Sequence, residues 1–323
     1  MQEQPKTLQQ VIRHYSDPET CIHAVAAARW PKGVECPACE GKNHYYLKTR
    51  HIWKCKECGR QFSVKLGTIF EDSPIGLEKW LTAMWLLASC KNGISSYEVG
   101  RAIGVTQRTA WFMMHRIRAA VQENSLMRLP QSGGPVEVDE TFIGGKARNM
   151  HAGRKAKLRK QASGLRGGNA KTIVMGMLER GGKVKAVVIP ERKSRIVEQI
   201  IRDSVEPGAN IMTDQATCYD NLHKEFEHEI VNHMETYVRE HVSTNGIENF
   251  WSLLKRGLCG TYVSVEPFHL FRYLDEQMFR YNNRGTREHK ISDADRFNLA
   301  LSQLAGKRLT YKEVTGKVGE TSF

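Results

Sequence analysis

Residues 135–144 read PVEVDETFIG, and the placement of this run decides the fold. It has the β-branched alternation of a strand, interrupted by acid, with Asp139 at the end of the β-run. TIVMGML (172–178) and KVKAVVI (183–189) follow as two more strands, separated by the turn-forming pair Gly181-Gly182. A helix is expected over 193–205, a buried strand at ANIMTD (209–214), a short helix over 217–226 and a strand at EIVNH (229–233). Helices dominate from 245 onward. Three strands in series, then strands alternating with helices, predict an α/β domain built on a mixed five-stranded sheet flanked by helices.

Three acids fall where such a sheet can gather them. Asp139 lies in VEVDE, Asp214 ends ANIMTD, and Glu248 lies in STNGIENFWSLLKRG, an expected helix capped by Ser243 or Thr244. Carboxylates on strand ends and an adjacent helix suit hard divalent cations, which prefer oxygen ligands. A pair of such ions about 4 Å apart activates an attacking oxygen and stabilises a leaving one in phosphoryl transfer. The element order and the acids together match an RNase H-like domain. Lys255 follows Glu248 by two helical turns and Asn245 precedes it by three residues, so all three share one face. The lysine there is placed to hold a phosphate. Glu140 reads as a supporting or surface acid, and Phe250 and Trp251 as core. Between Thr141 and Leu178 there is no acid but nine Lys or Arg, among them Arg154, Lys155, Lys157, Arg159 and Lys160. With interspersed glycines, this stretch predicts a loop that grips a phosphate backbone without reading sequence.

Upstream the pattern changes. Apolar residues recur at helical spacing from Leu8 to Ala26, with a break near Ser16–Pro18. Cys36-Pro-Ala-Cys39 and Cys55-Lys-Glu-Cys58 flank the strand-like YYLKTRHIWK. Two C-x-x-C turns at this separation can offer four thiolates to one tetrahedral Zn²⁺, a structural site because no coordination position stays open. Cys21, Cys90, Cys218 and Cys259 are isolated and read as small core residues. Helices are expected at 77–90, 95–103 and 107–123. The last two turn at Gly104-Val105, the rhythm of a helix-turn-helix. Gln107, Arg108 and Thr109 open the second helix and are expected to face bases, with Arg116 and Arg118 further along it. QSGGP (131–135) reads as a linker. The expected division is a helical segment (1–30), a zinc ribbon (31–70), a helix-turn-helix region (71–130), the catalytic domain (131–290) and a helical tail (291–323).

The chain of 323 residues is 40% hydrophobic and 8% aromatic, enough to bury a core, and its 48 Lys and Arg against 35 acids give a net charge of +13. A polyanionic partner is expected, and nucleic acid is the common one. No apolar run approaches the ~18 residues of a membrane span, and MQEQPKTLQQ lacks the apolar segment of a signal peptide. A cytoplasmic, nucleoid-associated protein with reduced cysteines is the expectation.

Several stretches are similar to bacterial insertion-sequence transposases of the group that joins an N-terminal zinc ribbon to an RNase H-like catalytic domain. They are RWPKGVECPAC, FSVKLGTIFEDSPIGLEKWLTAMWLL, VEVDETFIGGK, STNGIENFWSLLKRGLCGTY and FHLFRYLDEQMFRYNNR, in that order over residues 8–285. The resemblance implies Asp139 and Asp214 as ligands of Mg²⁺ or Mn²⁺, Lys255 as a DNA contact and terminal inverted repeats as substrate. It also implies double-stranded DNA at element ends and target, bound by a homo-oligomer. Some members are described with Asn in the third position, and here Asn245, Glu248 and Asn249 lie within five residues; carboxylate, the better hard-metal ligand, favours Glu248. The expected activity is metal-dependent strand cleavage followed by transfer of the 3′-hydroxyl into target DNA. Two alternatives are a nuclease or resolvase without strand transfer and a non-catalytic DNA-binding regulator.

Overall fold

The computed structural model describes residues 5–123, 128–144, 153, 171–231, 243–286 and 289–316. The chain forms two compact units, Met1–Glu123 with Asn283–Phe323, and Asn124–Asn282. The first opens with α1 (Leu8–His14) and α2 (Pro18–Arg29). Asp17 caps α2 by accepting from the Thr20 N–H, and Pro18 takes the first helical position, where a missing N–H costs nothing. An antiparallel ribbon follows, made of β1 (His44–Leu47), β2 (Ile52–Cys55) and β3 (Gln61–Phe62). Its core is aromatic: buried Trp53 lies 5.8 Å from Trp30 and 6.1 Å from Phe62.

Helix α3 (Leu77–Ser89) buries ten of its thirteen residues, so it has no wet face to speak of and serves as the apolar axis of this unit. Against it pack α4 (Ser96–Ile103) and α5 (Gln107–Val121). Ser95 and Glu98 cap α4 reciprocally, Gly104 at φ +64° ends it, and Thr106 caps α5. A Cβ at Gly100 would meet the Val105 carbonyl oxygen at 3.0 Å, so glycine lets the turn close tightly on α4. Arg116 and Arg118 correct the sequence reading: both are buried rather than presented. Arg116 lies over the Trp80 ring at 5.5 Å and donates to the Glu71 carbonyl.

The second unit is α/β. Strands β4 (Val136–Ile143), β5 (Thr172–Glu179), β6 (Val184–Ile189), β7 (Asn210–Thr213) and β8 (Glu227–Ile230) form a mixed sheet in the order β6-β5-β4-β7-β8. The pairs β4–β5 and β5–β6 are antiparallel, while β4–β7 and β7–β8 are parallel. One face carries Val136, Val138, Met175 and Met177 against α6 (Ser194–Ser204) and Tyr219. The other carries Val174 and Leu178 against α7 (Asn245–Arg256) and α8 (Leu270–Asn282). Asp139 lies mid-strand in β4, not at its end, because the alternation continues through Thr141. The helix expected at 217–226 is two 3₁₀ turns, Thr217–Tyr219 and Leu222–Lys224. Phe250 and Trp251 are buried, whereas Cys259, expected in the core, is exposed.

From residue 283 the chain contributes again to the first unit. Helix α9 (Asp293–Ser302) sets Phe297 5.5 Å from Trp85 and 5.9 Å from Tyr15. The short α10 (Tyr311–Val314) brings Tyr311 against Phe112 of α5. No helix among the described residues is long and apolar enough to cross a membrane.

Candidate functional site

The four cysteines form a ready metal centre. Cys36 and Cys58 sulfurs lie 3.6 Å apart, as do those of Cys39 and Cys55, and all four lie within 4.8 Å of one another. A tetrahedron with sulfur about 2.3 Å from zinc has edges of about 3.8 Å, so the donor set fits Zn²⁺. The Ala38 N–H lowers the Cys36 thiol, while Cys39, despite the Gly41 N–H, is raised by its sulfur neighbours. A dication removes that conflict by stabilising every thiolate at once.

Asp139 lies on β4, the middle strand of the second unit's sheet. Val136 pairs in parallel with Ile211 and Glu137 with Met212, where the ladder ends; Asp214, one residue past β7, lies close enough for its charge to act on the Asp139 carboxyl. Asp214 folds into a turn by accepting from the Ala216 N–H at 3.1 Å. Across β4, Asp139 faces Gly176 of β5. A Cβ there would stand 2.6 Å from the Trp251 ring, so glycine leaves room for the indole to cross the strand. Trp251 then donates to Asp139 Oδ2 at 3.0 Å. Burial, reinforced by the charges of Glu140 and Asp214, pushes the Asp139 carboxyl from 3.8 up to about 6, against the Glu140 N–H and the indole.

On α7 the apolar residues Ile247, Phe250, Trp251 and Leu254 are buried, which leaves Asn245, Glu248 and Lys255 on the exposed side. Glu248 Oε1 accepts from the Thr244 hydroxyl at 3.2 Å. Among the described residues only the four cysteines form a group of three or more ligand atoms within 4.8 Å of one another; Asp139, Asp214 and Glu248 stand further apart.

Two supports brace these acids: Glu137, which the sequence did not single out, and Glu140, expected as a supporting or surface acid. Buried Glu137 accepts from the Ile247 N–H at 2.9 Å, pinning the first turn of α7 to β4, and pairs with Arg180 at 3.0 Å. Arg180 in turn donates to the Ser243 carbonyl at 2.9 Å. On the other sheet face Glu140 accepts from the Tyr219 hydroxyl at 2.6 Å and pairs with Arg192 at 2.9 Å; that guanidinium also reaches Asp214 at 3.7 Å. The available signal was spacing. Glu137 and Asp139 share one face of a strand, and an acid in a buried strand needs a partner.

The expected base-facing residues all have partners within the first unit. Gln107 donates to the Ser96 hydroxyl at 2.9 Å, the Thr109 and Thr106 hydroxyls lie 2.9 Å apart, and Arg108 donates to the Tyr311 hydroxyl at 2.8 Å. Arg108 stays exposed, with its guanidinium 4.9 Å from the Tyr311 ring centre. Arg154, Lys155, Lys157, Arg159 and Lys160 lie outside the described residues.

Comparison with known proteins bears on both units. Residues 131–282 match the ISXO2-like transposase domain, and residues 16–61 match the transposase zinc-ribbon domain. A protein in the transposable element ISH50 of Halobacterium salinarum is 27% identical over 266 residues, covering 76% of this chain and 85% of that one. A transposase-like protein of Haemophilus influenzae is 37% identical over 102 residues, covering 31% of this chain and 82% of its own length.

Proposed function

Because the chain belongs to the IS1595 family of transposases, we propose that it binds the terminal inverted repeats of an insertion sequence, cuts there and joins the freed 3′-hydroxyl to target DNA. The observation that carries this reading is Asp139, an acid kept inside a central strand against burial and two further carboxylate charges, with Asp214 beside it. Such charge is retained where a cation offsets it. In this reading the second unit is RNase H-like and the α4–α5 pair is a helix-turn-helix. Mg²⁺ or Mn²⁺, when bound, activates the attacking oxygen and stabilises the leaving one.

The chain's own residues then divide the work. Asp139 and Asp214 offer hard oxygens from adjacent parallel strands, and Glu248 offers a third from α7. Asn245, on the same exposed side, orients water or phosphate, and Lys255 holds a phosphate flanking the cut. No protein nucleophile is required: water attacks phosphorus and the 3′-oxygen leaves as a hydroxyl; that hydroxyl then attacks a target phosphodiester, whose own 3′-oxygen leaves with the proton. The cations from Arg154 to Lys160 grip the backbone, Arg108 reads bases, and two or more copies assemble on DNA.

An assay with labelled element ends and purified full chain tests this. In Mg²⁺ the parent is expected to cut and join. Asp139→Ala and Asp214→Ala should lose both steps and keep end binding, since metal ligation and base contact sit on different units. Cutting without joining would reduce the protein to a nuclease. Undiminished cleavage by Asp214→Ala would remove the proposed site.

A further inference from the structure

The chain beyond α7 has two unusual backbone features in succession. Gly257–Tyr262 continue the helix as a π-helical turn, a form that is rare and gathers at functional sites. Val263 follows at φ +61°, ψ −53°, and the Ser264 N–H bonds back to the Tyr262 carbonyl at 2.6 Å. This is the γ-turn of the rarer hand, strained for any L-residue and most of all for a β-branched one. Yet its side chain gains no burial: Val263 is 78% exposed, and Phe268 at 57% and Phe271 at 36% are exposed shortly after it.

Strain of this kind persists only where neighbouring structure over-determines it. Here the supports are explicit. The Tyr262 hydroxyl bonds to Glu276, which is fully buried and paired with Arg280, and the Tyr262 ring sits edge-on to Tyr273 at 4.7 Å. Leu258 and Leu270 are buried on either side, and Val265 packs on the same core. A rigid stalk thus presents one apolar knob to solvent. The helix leading to it carries the exposed cations Lys255 and Arg256. From Trp251, which touches Asp139, the tip lies twelve residues on, at most about 18 Å along the axis at ~1.5 Å per residue.

We infer that the Val263 tip is an apolar wedge that presses into a base step of duplex DNA near the cut, unstacking it. The inference rests on the proposed transposase reading. Size favours DNA over a protein partner. Three exposed apolar side chains fall far short of the roughly 800 Å² per partner of a stable protein interface, whereas a single side chain suffices to open a base step.

The test uses the full chain and duplexes copied from the genomic flanks of its gene, with 2-aminopurine placed at successive steps around the cut. The parent is expected to brighten one step several-fold on binding. Val263→Gly, which relieves the backbone strain, should fold, bind within about threefold and lose the signal, because phosphate contacts carry most affinity. Val263→Leu should keep the signal. Binding and cleavage with no brightened step, or brightening that survives Val263→Gly, sinks the wedge and leaves the transposase reading intact. Failure of the parent to bind or cut these ends removes both. If Val263→Gly instead turns a dimer into a monomer in sedimentation, the tip is a protein interface and the inference is wrong.

Discussion

Asp139→Asn is expected to stabilise the metal-free second unit while destroying the proposed activity. Burial raises the Asp139 carboxyl from 3.8 to about 6, so the folded state holds its proton more tightly than the unfolded chain does. The sign follows: the group's contribution to stability is fully present below 3.8 and is lost as pH rises through about 6. At about 1.36 kcal/mol per pKa unit, the ionised carboxylate costs on the order of 3 kcal/mol at neutral pH. Asparagine keeps an oxygen for the Trp251 indole and carries no charge, so the variant should gain most of that amount. Hydrogen exchange of the β4 and β5 amides, read near neutral pH and near pH 4 without Mg²⁺, isolates the unit from ribbon unfolding. Protection should rise in the variant near neutrality and match the parent near pH 4. Mg²⁺ at a hundred times its dissociation constant should add about 2.7 kcal/mol to the parent and nothing to the variant. A variant less protected than the parent near neutrality would refute the argument that burial of this charge is what makes the site costly.

Four further outcomes are expected. Protein purified without chelators should hold one Zn²⁺ per chain by elemental analysis, and Cys39→Ser should lose it and unfold the ribbon while far-UV signals of the sheet unit persist. Gly176→Ala should push Trp251 off Asp139, since the new methyl would stand 2.6 Å from the ring, and the indole fluorescence of that unit should shift toward the red. Arg180→Ala, which leaves the buried Glu137 carboxylate without its cation, should cost about 3–5 kcal/mol in denaturant unfolding of the second unit. For the third ligand, Glu248→Gln should nearly abolish cleavage and Asn245→Ala should retain measurable activity; the reverse ranking would make asparagine the ligand.

Local patterns in the sequence carried much of the protein. The cysteine spacing alone specifies a four-sulfur cluster, because two C-x-x-C turns on a hairpin have few other ways to satisfy their geometry. The turn at Gly104-Val105 was readable because glycine adopts the left-handed φ that ends α4 at little cost. Strand order along the chain was readable from period-two runs. Tertiary structure decided what depends on elements distant in sequence. Whether Asp139 ends a strand or sits mid-strand turned on its pairing with β5, more than thirty residues on. Arg116 and Arg118 resembled surface cations until the packing of α5 on Trp80 and its neighbours buried them. The clamp of Glu137, Arg180 and Ile247 joins three elements, and the anchor beneath Val263 joins a loop to α8. A one-dimensional pattern records which face a residue takes within its own element. It does not record which partner from elsewhere arrives to meet that face, and buried charge is tolerated only through such partners.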